Sequence, residues 1–272
     1  MTSREPVDIA AIRAAVANPN GPYARVDYTA FTGSTNADLV AAGHQNAPAW
    51  TAAVTEYQTS GRGRHGRVWT APKGSQVTLS ILIRPTAESI ERLGTMPLVS
   101  GLAIIDALTA TAARHPDATD KLTPQLKWPN DVLIDGRKLC GILAEAVSLG
   151  PEPAVVIGLG LNVSITTEEL PVPHATSLDL EAPGIEIDRA QLTADVLLAL
   201  HHRINQWVDA DPQLMADYRA VCSSIGADVK VLLPGDEELL GTVRDVADDG
   251  RLVVVDKQGA EHILAAGDVT HL

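Results

Sequence analysis

The chain has 272 residues, 45% of them apolar, and a formal charge of -13. That length accommodates one large domain, or a main domain with a small one, around a true core. The acidic balance offers no basic face for counterion release along a duplex, which argues against general nucleic-acid binding. Two distant cysteines, Cys140 and Cys222, fit a reducing compartment and make no zinc framework.

Asp8–Ala17 reads as a helix closed by Asn-Pro-Asn-Gly-Pro. The opening MTSREPVDIAAIRAAVANPNG lacks the unbroken apolar core of a signal peptide and is too short for a helix-turn-helix domain. No later apolar run approaches the roughly 20 residues of a membrane span. The expectation is a cytoplasmic protein that meets neither DNA nor membrane.

Arg25–Phe31 reads as a strand, and Ser34 or Thr35 caps a helix through Ala42. Trp50–Tyr57 reads as a second strand, leading into EYQTSGRGRHGRVW at 56–69. Gln76–Arg84 alternates, with Val77, Leu79, Ile81 and Ile83 on one face, as in a half-buried strand. Residues 95–113 carry Leu98, Leu102, Ile105 and Leu108 at helical spacing. Strands follow at Gln125–Trp128, Val132–Ile134, Lys138–Val147 and Ala154–Val163, the middle two joined by the tight-turn pair Asp135-Gly136. Asp188 with Gln191 resembles a capping box for a helix to about Val208. Beyond Ile225 the segments shorten to Val229–Leu233, Leu240–Val246, Leu252–Asp256 and His262–Leu264. Turns at Pro234-Gly235, Asp249-Gly250 and Gln258-Gly259 separate them, as in a small all-β barrel. The fold class is α+β, a mixed and mostly antiparallel sheet with flanking helices plus that barrel. The expected division is a tail at 1–22, a catalytic domain at 23–222 and the barrel at 223–272.

Three arginines and a histidine interleaved with glycines at 61–67 suit an anion. Glycine frees backbone N–H groups and arginine presents planar forks to phosphate or carboxylate oxygens. A solvated loop, or an RNA-touching segment rich in arginine and glycine, carries the same composition. In KWPND (127–131) and VLIDGRKLCGIL (132–143) the turn would bring Lys127 and Lys138 together on adjacent strands, with no acid nearby, as an anion site; both lysines could equally point to solvent. VVIGLGLNV at 155–163 fails as a dinucleotide fingerprint, because no third glycine is in place. Its glycines instead suit close approach of a ligand to the backbone, with Asn162 free to hydrogen-bond it. Cys140 reads as a small buried hydrophobe, and His65 as a polar loop residue.

Together, GSTN (33–36), EYQTSGRGRHGRVW (56–69), KWPNDVLIDGRKLCGIL (127–143) and IGLGLN (157–162), in that order, resemble the biotin–protein ligases. The resemblance covers about Tyr28 to Trp207, and the barrel stands where that family has an SH3-like domain. It implies condensation of biotin with ATP to biotinyl-5′-adenylate and pyrophosphate, with Mg²⁺ on the phosphates. The biotinyl group then passes to a lysine of the biotin carboxyl carrier domain of an acyl-CoA carboxylase. Carried over from the family, Ser34, Thr35, Asn36, Gln58, Arg62, Gly63, Arg64, Lys127, Gly141, Gly158 and Gly160 are the biotin side, Gln58 beside the carboxylate end. Arg67, Trp69, Asn130, Lys138 and Asn162 are the nucleotide side, and SITTEELPVPHAT (164–176) stands where a nucleotide-side loop would be. Lys138, Arg67 and Lys127 are the catalytic set, and no resident metal ligands are expected. Asp131 is a candidate base for the acceptor lysine, or else a turn-stabilising residue. Regulatory members carry a DNA-binding winged helix ahead of GSTN, which the short N-terminal segment here does not accommodate. The alternatives are a lipoate or octanoate ligase and a non-catalytic biotin or nucleotide sensor.

Overall fold

A computed structural model describes residues 4–115, 122–233, 235 and 237–272. Helix α1 (Ile9–Val16) starts at the Asp8 side chain, which accepts from Ala11 N. Strand β1 (Arg25–Thr29) runs parallel to β2 (Thr51–Thr55), and α2 (Thr35–His44) crosses between them with Ser34 as its cap. Strand β3 (Gln76–Ile83) leads through the short α3 (Ala87–Ile90) to the long α4 (Met96–Ala113). Then come β4 (Gln125–Lys127), β5 (Asp131–Ile134), β6 (Arg137–Ser148) and β7 (Ala154–Asn162). Helices α5 (Leu178–Glu181), α6 (Arg189–Val208) and α7 (Gln213–Val221) follow. The chain closes with β8 (Asp228–Leu232), β9 (Glu238–Val246), β10 (Leu252–Asp256), β11 (Glu261–Leu264) and β12 (Asp268–His271).

Two sheets result, one of seven strands in the order β1-β2-β3-β7-β6-β5-β4 and one of five in the order β11-β10-β9-β8-β12. Only β1–β2 is parallel, so the larger sheet is mixed and mostly antiparallel, and the smaller is the SH3-like C-terminal unit. Asp135 and Gly136 turn β5 into β6 with φ of 48° and 74°, the left-handed pair that a two-residue hairpin requires. Pro234 of the expected Pro234-Gly235 turn lies outside the described residues.

Successive side chains on a strand face opposite ways, and this sorts the large sheet into two unlike faces. Val77, Leu79 and Ile81 of β3 and Ile157, Leu159 and Leu161 of β7 join the main core with α4 and α6. Residues 93–113 satisfy the length and composition of a membrane span, which corrects the expectation that no segment does; here they form a largely buried core helix. The opposite face carries Gln76, Thr78 and Ser80, all buried. The half-buried reading of β3 is therefore corrected: α2 and the 61–69 segment cover the face assigned to water, and every residue of the strand is buried.

The first residues are built into the same unit, since Ile12, Val16 and Tyr23 are wholly buried and Tyr23 donates to Leu197 O at 2.8 Å. Val7 N–H donates to Glu56 Oε1 at 2.7 Å, and Glu56 pairs with Arg189 at 2.8 Å. The expected capping box at α6 is half formed: Asp188 accepts from Ala190 and Gln191 N–H groups, while the Gln191 side chain bonds Asp195 instead. Trp128 Nε1 donates to Gly250 O at 2.9 Å and fastens the smaller sheet to the larger.

Candidate active site

The polar face of the large sheet is ordered by register. Ser80 pairs with Gly158 and that with Leu143; two residues further along, Thr78 pairs with Gly160 and that with Gly141; then Gln76 pairs with Asn162. Each two-residue step advances about 7 Å along the strands. The first level lies beneath Asn36, the second beneath Trp69. A Cβ on Gly158 would stand 1.9 Å from Asn36 Oδ1, and one on Gly160 would stand 2.3 Å from Trp69 Nε1. Gly141 faces the same indole, its added Cβ 2.9 Å from Cζ3. Glycine is needed at these levels because other groups lie directly on the backbone.

At the first level, Thr35 and Asn36 open α2 with their side chains directed onto the sheet. Thr35 Oγ1 lies 2.7 Å from Ser80 Oγ, and Ser80 donates to Asn36 Oδ1 at 2.6 Å. Asn36 Nδ2 donates to Glu145 Oε2 at 2.6 Å. Gln58 sits with Thr35, accepting from its N–H at 2.9 Å. Ser34 is buried and caps α2 through Ala37 N–H.

The 61–69 segment is a hydrogen-bonded hairpin. Gly63 N–H donates to Arg67 O at 2.7 Å and Trp69 N–H to Gly61 O at 2.9 Å, while His65 and Gly66 turn the chain with positive φ. Trp69 lies across the glycine floor and donates to Gln76 Oε1 at 3.3 Å. Arg64 donates to Asn130 Oδ1 at 3.3 Å and to Gly267 O at 3.2 Å. Arg67 is paired with Asp268 of the smaller sheet, and Arg64 lies 3.6 Å from that carboxylate. Arg62 is exposed and its side chain meets no polar partner among the described residues, and Gly63 lies half-buried beside Arg67.

The two lysines are not on adjacent strands, because β5 lies between β4 and β6. Nor do they lack acids: Asp131, at the head of β5, pairs with Lys138 Nζ at 2.6 Å. The expected acid-free lysine pair is thus a lysine–aspartate–lysine cluster. Lys138 Nζ also stands 5.4 Å from the Trp69 ring centroid, within cation–π range. Burial lowers the Lys127 pKa, opposed by Asp131 and reinforced by Lys138. Burial likewise lowers that of Arg64, opposed by Asp268 and Asp131.

Asn162 accepts from Gln76 Nε2 at 2.6 Å and donates to Thr176 O at 2.7 Å. Asn130 is similarly engaged, donating to Ile142 O at 2.8 Å. The 164–176 segment docks on β6 where Lys138 N–H donates to His174 O at 2.7 Å. Cys140 is fully buried and burial raises its thiol pKa, which removes it as a nucleophile. Motif reading missed Ser80, Thr78, Gln76, Glu145 and Asp268. The one available signal was that every second residue of 76–80 is polar beside a strand rich in glycine.

Molecular comparisons coincide with this geometry. A family model described as the biotin/lipoate A/B protein ligase family matches residues 28–162, and one described as the biotin protein ligase C-terminal domain matches 224–272. The biotin–acetyl-CoA-carboxylase ligase of Mycobacterium tuberculosis is 42% identical over 270 residues, which cover 99% of this chain and 97% of that one. The chain belongs to the biotin–protein ligase family. A biotin protein ligase from Aquifex aeolicus, solved in complex with biotin and ATP, shares the fold with a TM-score of 0.75 at 24% identity, covering 91% of this chain and 98% of its own. The Leishmania major biotin protein ligase, solved in complex with biotinyl-5-AMP, has a TM-score of 0.64 at 23% identity, covering 90% of this chain and 100% of its own. As a biotin–protein ligase, the chain places a hydrogen-bonding level and a cationic level on one glycine-floored face.

Proposed function

We propose that this chain activates biotin with ATP and transfers it to one lysine of the biotin carboxyl carrier domain of an acyl-CoA carboxylase, in the cytoplasm. The observation that carries the reading is the order along one sheet face: buried Thr35, Asn36 and Ser80 at the first level, and at the second Lys138 beside Trp69 and Gly141, with Lys127, Arg64 and Arg67 gathered around the Asp131 and Asp268 carboxylates nearby. A ligand with a polar ring at one end and a carboxylate at the other fits that order.

In the first step a biotin carboxylate oxygen attacks the α-phosphorus of ATP. The new C–O–P linkage forms as the bond to the β-phosphate oxygen breaks and pyrophosphate leaves. The carboxylate is already ionised at neutral pH, so the protein needs no base here. It must hold two anions together, and the four cations serve that purpose by positioning and charge neutralisation. Among the described residues no three histidine, cysteine or carboxylate groups converge as a metal site. Magnesium would arrive on the nucleotide's phosphates. In the second step the neutral amine of the acceptor lysine attacks the acyl carbon and AMP departs. Asp131 is committed to Lys138, so it would serve as the acceptor's base only after that pair parts.

Incubating the protein with labelled biotin, ATP and a purified carrier domain should move the label to the carrier, while octanoate or lipoate in place of biotin should not transfer. Transfer of lipoate but not biotin would overturn the assignment, and binding without transfer to any acceptor would make the chain a sensor.

A further inference from the structure

We infer that Glu145 is a positioning residue that sets the direction of a proton relay and thereby selects a ligand carrying an N–H donor at the first level. The inference rests on the biotin reading above, and its material is a row of side chains from α2, β3 and β6. Glu145 Oε2 accepts from Asn36 Nδ2 at 2.6 Å, and Leu143 O lies 3.4 Å from the same nitrogen. The Asn36 amide is therefore held with its nitrogen toward β6 and Oδ1 toward Ser80.

Proton counting fixes the rest. Asn36 Oδ1 has no proton to give, so Ser80 spends its single hydroxyl proton on it across 2.6 Å. Ser80 Oγ then faces Thr35 Oγ1 at 2.7 Å with lone pairs only. Thr35 must donate to Ser80, because two sets of lone pairs at that distance repel. Its proton is then unavailable to Gln58 Oε1, 3.2 Å away, which is served by the Thr35 backbone N–H at 2.9 Å. Two acceptor oxygens thus stand 3.2 Å apart with no hydroxyl proton between them. Ser80 and Thr35 are buried, at 0% and 3% exposure, with Gln58 and Glu145 half-buried beside them, and lone pairs facing each other there are costly.

That pair calls for a donor from the ligand. A cyclic urea supplies one; a ring oxygen in the same place would add a third set of lone pairs. Glu145 touches no part of such a ligand, and it acts through Asn36, Ser80 and Thr35. Without its carboxylate the Asn36 amide is free to turn, Ser80 can give its proton back toward Thr35, and Thr35 can donate outward.

The test compares biotin with its two cyclic carbamate analogues, in which one or the other ureido N–H is replaced by ring oxygen, by calorimetric titration of the wild type, Glu145→Ala and Ser80→Ala. The wild type should prefer biotin over one carbamate by about a hundredfold or more, since a site built for a donor rejects an isostere lacking it. Glu145→Ala and Ser80→Ala should each narrow that ratio by about tenfold, the worth of one redirected hydrogen bond. A merely structural role would weaken biotin and carbamate alike, and an unchanged ratio in either folded variant overturns the inference. Should only one variant fold, its ratio decides. A wild type that binds neither biotin nor carbamate removes the biotin reading itself, an outcome distinct from an unchanged ratio.

Discussion

Asp268 lies in the smaller sheet and Arg64 in the 61–69 hairpin, 204 residues away in sequence, yet carboxylate and guanidinium meet at 3.6 Å, with Arg67 closing on the same carboxylate. The C-terminal unit thus supplies the counter-charge that the three arginines of the 61–69 hairpin lack among themselves. Arg64 is about one-fifth exposed and Arg67 nearly two-thirds, so the inner pair holds the hairpin and the outer one adds little.

Asp268→Ala should loosen the hairpin. Trypsin should cut after Arg64 or Arg67 up to about fivefold faster in the ligand-free protein, the worth of a pair near 1 kcal/mol. Cleavage at the wild-type rate would mean that backbone hydrogen bonds alone hold the segment.

Lys138→Ala should slow pyrophosphate release by about a hundredfold or more while calorimetric biotin affinity changes far less. It also leaves Asp131 without its ion partner. The double variant with Asp131→Asn should recover stability in urea but not the rate. An unimpaired rate in Lys138→Ala would remove this lysine from the chemistry.

Gly158→Ala puts a methyl carbon 1.9 Å from Asn36 Oδ1. Asn36 must shift, so biotin binding should be lost with about 1–3 kcal/mol of stability, the usual range for overpacking. Titration and urea unfolding check both numbers.

Burial sets the Lys127 pKa below its ordinary value of 10.5. Its ammonium form, present below the folded pKa, is lost as pH rises through that value, so pyrophosphate release should fall on an alkaline limb that begins below 10.5. The unfolded chain holds this proton more tightly, and between the folded pKa and 10.5 the lysine's contribution to stability rises with pH. The wild type should accordingly gain stability relative to Lys127→Met across that window. A constant difference would contradict the burial of the charge.

Glu56→Gln leaves the Arg189 guanidinium facing a neutral group at a site where the Glu56 side chain is 1% exposed. About 3–5 kcal/mol should be lost, as when one partner of a buried pair is removed. Adding Arg189→Met should restore part of it, as read from denaturant midpoints.

The glycine–arginine loop, the β5–β6 hairpin and the SH3-like unit were legible because each is announced locally, by glycine where φ must be positive or by short apolar runs. The relay was not. Glu145 meets Asn36 across 109 residues and Ser80 meets it across 44, and no spacing rule joins such positions. Thr78 and Ser80 look like a solvent face to any reading of period two, since alternation reveals that one face differs but not what covers it. Helix α7 went unread because it is only nine residues long and opens at Pro212 without a side-chain cap. Strand β12 is four residues with a single buried valine.

Trp69 is a tenant of the glycine floor. Its indole rests on the floor of Gly141 and Gly160 with a hydrogen bond to Gln76, tethered there at high effective concentration. Any guest seeking that floor competes with a side chain that never diffuses away. Its measured affinity is the intrinsic one reduced by the fraction of molecules in which the indole is in residence.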